Sequence, residues 1–159
     1  MTVFIEASRG AGSFRDALQA ALESLRRGAC AQSAMLLEGV SAEEFRSTTM
    51  APDPHAPSCS IPRQGLLASR LRFHSAPLPI AVEDYDVWKR WAAEHNAGHL
   101  SEIESLRSAG ARLAVPLRTN KEMLGVVLLG SPEAGPAYNR SATRLITTAT
   151  VATTRSKCT

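Results

Sequence analysis

The sequence has no apolar run that approaches the ~20 residues a membrane-spanning helix needs. Its N-terminus, M-T-V-F-I-E-A-S-R-G, lacks the basic-then-apolar shape of a secretory signal. Cysteine is scarce: Cys30, Cys59 and Cys158 are odd in number and widely spaced, which excludes a disulfide framework and favours a reducing, cytoplasmic setting. No charge of one sign dominates. Eighteen basic residues stand against 15 acidic ones, and a net charge of +3 is too small to argue for nucleic acid as a partner. Aromatics make up 5% of the chain, with Trp88 and Trp91 the only tryptophans. There is no internal repeat, no Gly-rich phosphate loop, no Ser-His-Asp set that can be placed and no paired-carboxylate motif above background. What remains is an ordinary globular composition, 44% hydrophobic and 21% charged, and a length of 159 residues that fits one domain with a sizeable core. That domain is read over 1–159, either as a complete small protein or as a module of a longer one.

The most informative stretch is Arg112 to Gly130, R-L-A-V-P-L-R-T-N-K-E-M-L-G-V-V-L-L-G. Two β-prone runs flank a polar turn, Arg118-Thr119-Asn120-Lys121, and this pattern predicts a hairpin. Asn120 is the residue expected to take a left-handed conformation there. The second run, Met123 to Leu129, is apolar at almost every position, so it belongs in mid-sheet with both faces covered. Gly125 inside it predicts a bulge or the close approach of another backbone.

Ahead of the hairpin, an apolar patch (Val3-Phe4-Ile5) and a Gly-containing link precede a helix over 13–27. Ser13 and Asp16 give that helix a capping-box-like start, Phe14, Leu18, Ala21, Leu22 and Leu25 form its stripe, and Gly28 closes it. Ala31–Glu38 and Glu44–Met50 read as strands. The Pro-rich segment 51–63 reads as a loop. A short helix follows within 65–74, then an edge strand near Pro79–Val82. The next helix starts at Asp84 with Val87, Trp88, Trp91 and Ala92 on one face. Gly98 interrupts it, and His99 to Arg107 continues with Leu100, Ile103 and Leu106. After the hairpin, Asn139 caps a last helix with Ala142, Leu145, Ile146, Ala149 and Ala152 inward. Its β-branched end is a poor helix former that should fray without a partner helix. This order of elements is α+β with an antiparallel sheet.

His95 and His99, in H-N-A-G-H, have the spacing of the H-E-x-x-H zinc motif. Asn96 replaces the catalytic Glu, and a third ligand would have to come from His74, Cys59 or His55. The plainer reading is surface or pocket-lining histidines. Trp88 and Trp91 project about 60° apart on a helix, as core packing or as one wall of a pocket. Cys30 reads as a small buried hydrophobe.

The run V-P-L, M-L-G-V-V-L-L-G and Y-N-R-S-A-T-R-L-I resembles the C-terminal half of a GAF domain. Val115-Pro116-Leu117, Gly125, Gly130 and Tyr138 match that family's pattern. Asn139 stands where it often has Ser, and Ala142 or Thr143 where it often has an acid. The look is closest to GAF domains beside sensor histidine kinases or serine phosphatases. The resemblance implies a GAF-like, PAS-related α+β fold: a central antiparallel β-sheet of five to six strands with helices on both faces. The first and last helices would share one face. The middle third would cover the other and enclose a ligand pocket, lined by some of Phe73, Trp88, Trp91, His95, Leu113 and Val115. The implied role is a sensory or regulatory domain of a bacterial signal-transduction protein, without catalytic residues, metal or a specified cofactor. It would bind a small ligand, or form a homodimer through the first and last helices, and act on an effector domain if it lies in a longer chain. Neither nucleic acid nor membrane is an expected partner. The rival readings are a thiol-dependent enzyme like the free methionine sulfoxide reductases and a ligand-free dimerisation module. No Cys-His pair of the bilin-carrying type occurs. Asn120-Lys121 is not followed by the Phe-Asp-Glu of the cyclic-nucleotide type.

Overall fold

The computed structural model describes residues 11–73, 76–135 and 138. In chain order they form α1 (Ala11–Gly28), β1 (Ala34–Gly39), β2 (Glu44–Ala51), β3 (Ser60–Pro62), α2 (Leu66–Phe73), β4 (Leu78–Pro79), α3 (Val82–His95), a single 3-10 turn (Ala97–His99), α4 (Leu100–Ser108), β5 (Leu113–Arg118) and β6 (Met123–Leu129). The strands make one antiparallel sheet in the order β3-β2-β1-β6-β5-β4. The apolar patch at Val3–Ile5, His74, Cys158 and the expected last helix lie outside the described residues.

The all-apolar β6 is central, between β1 and β5. Its side chains alternate between two separate cores, as a pleated strand requires. Val127 and Leu129 face α1, together with Leu36, Leu113 and Val115. Val126 and Leu128 face the other way, into the core made by the middle of the chain. Gly125 has no room for a side chain, because a Cβ there would lie 2.4 Å from the carbonyl oxygen of Leu37 in β1. Next to it the β5–β6 register slips, so that Leu117 pairs with Gly125 and Arg118 with Met123. Leu124 is therefore an extra residue. It is the exposed member of β6, and it returns Met123 to the same core as Leu128.

The hairpin turn differs from expectation. It runs Thr119–Glu122, and Asn120 does not take a positive φ; among described non-glycine residues Cys30 does. The organiser is Thr119, whose hydroxyl accepts the N–H groups of Lys121 (3.2 Å) and Glu122 (3.1 Å). Other boundaries also move. α1 already runs from Ala11, which places Ser13 inside the helix rather than at its cap. β1 starts at Ala34, while Ala31 makes an isolated bridge to Pro132. The Pro-rich segment is not loop throughout, since Ser60–Pro62 adds an edge strand to β2. The other edge strand is Leu78–Pro79, and α3 starts two residues before Asp84. The carboxylate of Asp84 accepts the N–H of Ala81 at 2.8 Å, so this acid works from the third helical position as a cap. Helix α3 ends at Asn96, which is extended, and not at Gly98.

On α3 the buried face is Tyr85, Trp88 and Ala92. Val87 and Trp91 are 57% and 43% exposed, which corrects the expected stripe. Trp91 stands about 60° round the helix from Trp88, on the side away from Tyr85 and Ala92.

Helix α2 is fixed by a side chain from α4. Glu102 is 3% exposed, and its carboxylate accepts the N–H groups of Leu66 and Leu67, both at 2.9 Å. First-turn N–H groups have no partner within their own helix, and the positive helix end suits a carboxylate. Gly65 makes the room, because a Cβ there would sit 2.5 Å from Glu102 Oε2.

Two stability measurements follow from this packing. In urea denaturation, Leu128→Ala should lower the unfolding free energy by about 2–5 kcal/mol, the cost of a cavity between close-packed elements. Glu102→Ala should cost about 1–3 kcal/mol by leaving the amides of Leu66 and Leu67 without their acceptor, whereas Glu102→Gln, which keeps an acceptor oxygen, should cost less.

Candidate functional site

The expected place for a pocket is under the middle third of the chain, and the centre of that face is filled. Phe45, Leu71, Ile103 and Leu106 are essentially inaccessible there, with Tyr85 and Trp88 beside them. Tyr85 and Trp88 meet edge to face at 5.8 Å, and the guanidinium of Arg70 covers the Trp88 ring at 5.3 Å. The Tyr85 hydroxyl donates to the carbonyls of Ala111 and Leu106. Burial holds its pKa far above the ordinary tyrosine value.

Open space lies instead at one end of the sheet. A cleft of about 160 Å³ is bounded by the start of β1, the ends of β2 and β6, the last turn of α4 and the 52–58 loop. Its walls are mostly apolar: Met35, Met50, Leu128, Leu129 and several alanines. Ser33, Ser58 and Ser108 add hydroxyls, and Asp53 is the one ionisable side chain of the lining. Gly130 permits this geometry, because a Cβ there would lie 2.1 Å from Ser33 Oγ.

Several backbone links hold the walls. Gly130 donates to Ser33 O at 2.9 Å and Gln32 to Ser131 O at 2.8 Å, which joins the entry to β1 with the exit from β6. The loop is closed by Asp53, whose Oδ1 accepts the His55 N–H at 2.9 Å. It returns to the sheet where Ser47 and Cys59 bond through their backbones at 2.8 Å. The side chain of Gln19 in α1 donates to Met50 O at 2.6 Å. A cleft-wall residue is thus tied directly to the first helix.

The six residues expected to line a pocket fall in three places. Trp88 is in the filled core. Leu113 and Val115 are buried on the opposite face of the sheet, toward α1. Phe73, 89% exposed, ends α2, while Trp91 and His95 are exposed on α3. Trp91 lies nearly parallel to His95 and to His99, with ring centres 5.2 and 6.1 Å away. Asn96 Nδ2 stands 3.4 Å from His99 Nε2, and His99 Nδ1 stands 3.7 Å from Glu102 Oε2. Among the described residues no group of three His, Cys, Asp or Glu side chains is placed to hold a metal ion. The cleft residues are small or aliphatic and sit at strand ends. The one signal pointing to them was the Pro-rich segment beside the central strands.

No protein-family model matches the sequence, and no curated protein is a match for it. Solved structures do match. A GAF domain/HD domain protein from Geobacter sulfurreducens aligns with a TM-score of 0.57 at 10% identity, over 87% of this chain and 87% of that one. The nlh2 GAF domain of A. aeolicus, in an inactive state, gives 0.55 at 14% identity, over 95% of this chain and 88% of that one. The chain has the GAF fold. A type II free methionine-R-sulfoxide reductase from Thermoplasma acidophilum also aligns, with a TM-score of 0.52 at 14% identity over 86% of each chain. Likeness at these identities extends to the fold and no further, so chemistry on this GAF fold has to be argued from its own side chains.

Its described cysteines are of two kinds. Cys30 is exposed, contrary to the expectation of a buried small residue, and follows α1 in a left-handed conformation. Cys59 is 1% exposed, with Sγ 3.4 Å from Ser105 Oγ. Burial raises the Cys59 thiol pKa, with the Ser105 hydrogen bond pulling the other way. A raised pKa keeps the sulfur as the less reactive thiol at neutral pH. Iodoacetamide at pH 8 should therefore alkylate Cys30 in the native protein and reach Cys59 only after unfolding, as read by peptide mapping.

Proposed function

We propose that this GAF-fold chain is a regulatory module, not a catalyst, and that it reports occupancy of the strand-end cleft through α1. The observation that carries this reading is the hydrogen bond from Gln19 to the carbonyl of Met50. Met50 contributes to the cleft wall, and its carbonyl is held by a helix that sits on the other face of the sheet. A molecule that moves the end of β2 would change the strength of this bond and shift the population of α1 positions. A methyl-accepting chemotaxis protein also shares the fold, with a TM-score of 0.56 at 13% identity, which supports the same reading. The buried, raised-pKa Cys59 supports it against a thiol-reductase reading.

A homodimer is the companion proposal, with one change of contact residues. Leu18 and Leu22 are spent on the protein's own sheet and Leu25 is half-buried there. Within that same stripe of α1, Phe14 is 42% exposed and Ala21, seven residues on, is half-buried, so the sheet leaves both partly uncovered. Residues seven apart share a helix face, so Phe14 and Ala21 would meet a second copy in parallel α1 helices.

Native mass spectrometry of the purified protein should find a retained small molecule. Its removal should raise amide exchange within α1, and in Gln19→Ala the exchange of α1 should no longer respond to it. A molecule that binds without any change in α1 would sink the transmission. Sedimentation at micromolar concentration should give a dimer that Phe14→Glu dissociates; a monomer under those conditions would remove the pairing.

A further inference from the structure

We infer that the strand-end cleft is a site for a neutral molecule built on one aromatic ring with a hydroxyl or similar small polar group. The inference rests on the regulatory reading above and narrows it to a ligand class.

Size comes first. Drug-sized ligands occupy sites of about 300–1,000 Å³, and the cleft offers about 160 Å³. A dry apolar cavity of ~150 Å³ takes up benzene. A single ring fits this space, whereas a nucleotide or a tetrapyrrole does not. Charge comes second. Asp53 is the lone ionisable group of the lining, and no Lys, Arg or His stands in it to meet an anion. A carboxylate or phosphate of the right size would lose water, gain no cation and face the Asp53 carboxylate. Lining chemistry comes third. Met35 and Met50 bring two thioether side chains to a lining whose other apolar residues are leucine, alanine and proline. Thioether sulfur makes favourable contacts with aromatic rings, worth about 0.3–1.5 kcal/mol each, which favours an aromatic over an aliphatic ring. Ser33, Ser58 and Ser108 supply hydroxyls for one polar substituent. Each can donate or accept, so a phenolic hydroxyl is well matched.

Phenol, cyclohexanol and benzoate form the probe set, read on protein carrying 13C-methyl methionine. Met35 and Met50 report from the cleft, and Met123, buried in the same core but absent from the lining, is the internal control. Phenol should shift the Met35 and Met50 methyl signals saturably and leave Met123 in place. Cyclohexanol should bind several-fold more weakly and benzoate at least tenfold more weakly. Asp53→Asn should narrow the gap between phenol and benzoate. Ala56→Phe, on the half-buried side of the exposed loop, should weaken phenol at least tenfold while leaving the thermal unfolding midpoint in place. If that variant unfolds early, Ala109→Leu at the end of α4 makes the same test from the opposite wall. Equal affinity for phenol and benzoate, a non-saturating shift or a shift at Met123 as large as at Met35 would overturn the inference. If no ring binds but a retained molecule of another class shifts the two cleft methyls, the ring inference fails and the regulatory reading stands. If neither the rings nor any retained molecule moves those methyls, both fail.

Discussion

The pairing of β1 with β6 brings together strands from opposite ends of the described chain, and the rest of the sheet is attached to that pair. Leu37 lies opposite Val126 and Glu38 opposite Gly125. At that point the carbonyl of Leu37 occupies the space where any side chain on residue 125 would have to go. A glycine is therefore a condition of the register and not a local convenience. Once the two strands are joined, β2 and β5 add on either side and two apolar faces are defined. One is closed by α1 and the other by the middle of the chain.

The middle of the chain is held by polar contacts set inside an apolar layer. Glu102 caps α2, Ser105 meets Cys59, and Tyr85 reaches the carbonyls where α4 turns toward β5. Two of these residues belong to α4, so one short helix fixes α2 and the approach to β3. Burying a carboxylate is costly unless its oxygens are engaged, and both Glu102 oxygens are. Because this layer is solid, the open space is displaced to the end of the sheet, where the Pro-rich loop forms one wall and the end of α4 another.

The sheet was legible in the sequence because its signal is dense. Seven residues with almost no polar interruption admit few placements, and the matched V-P-L and glycine positions narrow them to one fold. The site was much less legible. Tryptophan and phenylalanine are reasonable guesses for pocket walls, but spacing alone did not separate Trp88 from Trp91, because they differ by only a sixth of a helical turn around the axis. Leu113 and Val115 were assigned to the wrong face because the strand alternation fixes which residues go together and not which layer they meet. Asn120 was credited with a turn that Thr119 organises, since a side-chain hydroxyl competes for backbone amides without needing an unusual backbone conformation. Apart from the Pro-rich loop, the cleft has no compositional mark, being the meeting point of strand ends remote from one another in sequence.

The edges of the sheet carry a consequence for how copies of this protein can associate. Its outermost strands, β3 and β4, are three and two residues long, and each includes a proline, Pro62 and Pro79. Beyond β4, the stretch of β5 with a neighbour on one side only contains Pro116. Short edges and prolines without an N–H make poor templates for strand addition. Among the described residues, growth of the sheet from one molecule into the next is therefore disfavoured at both edges.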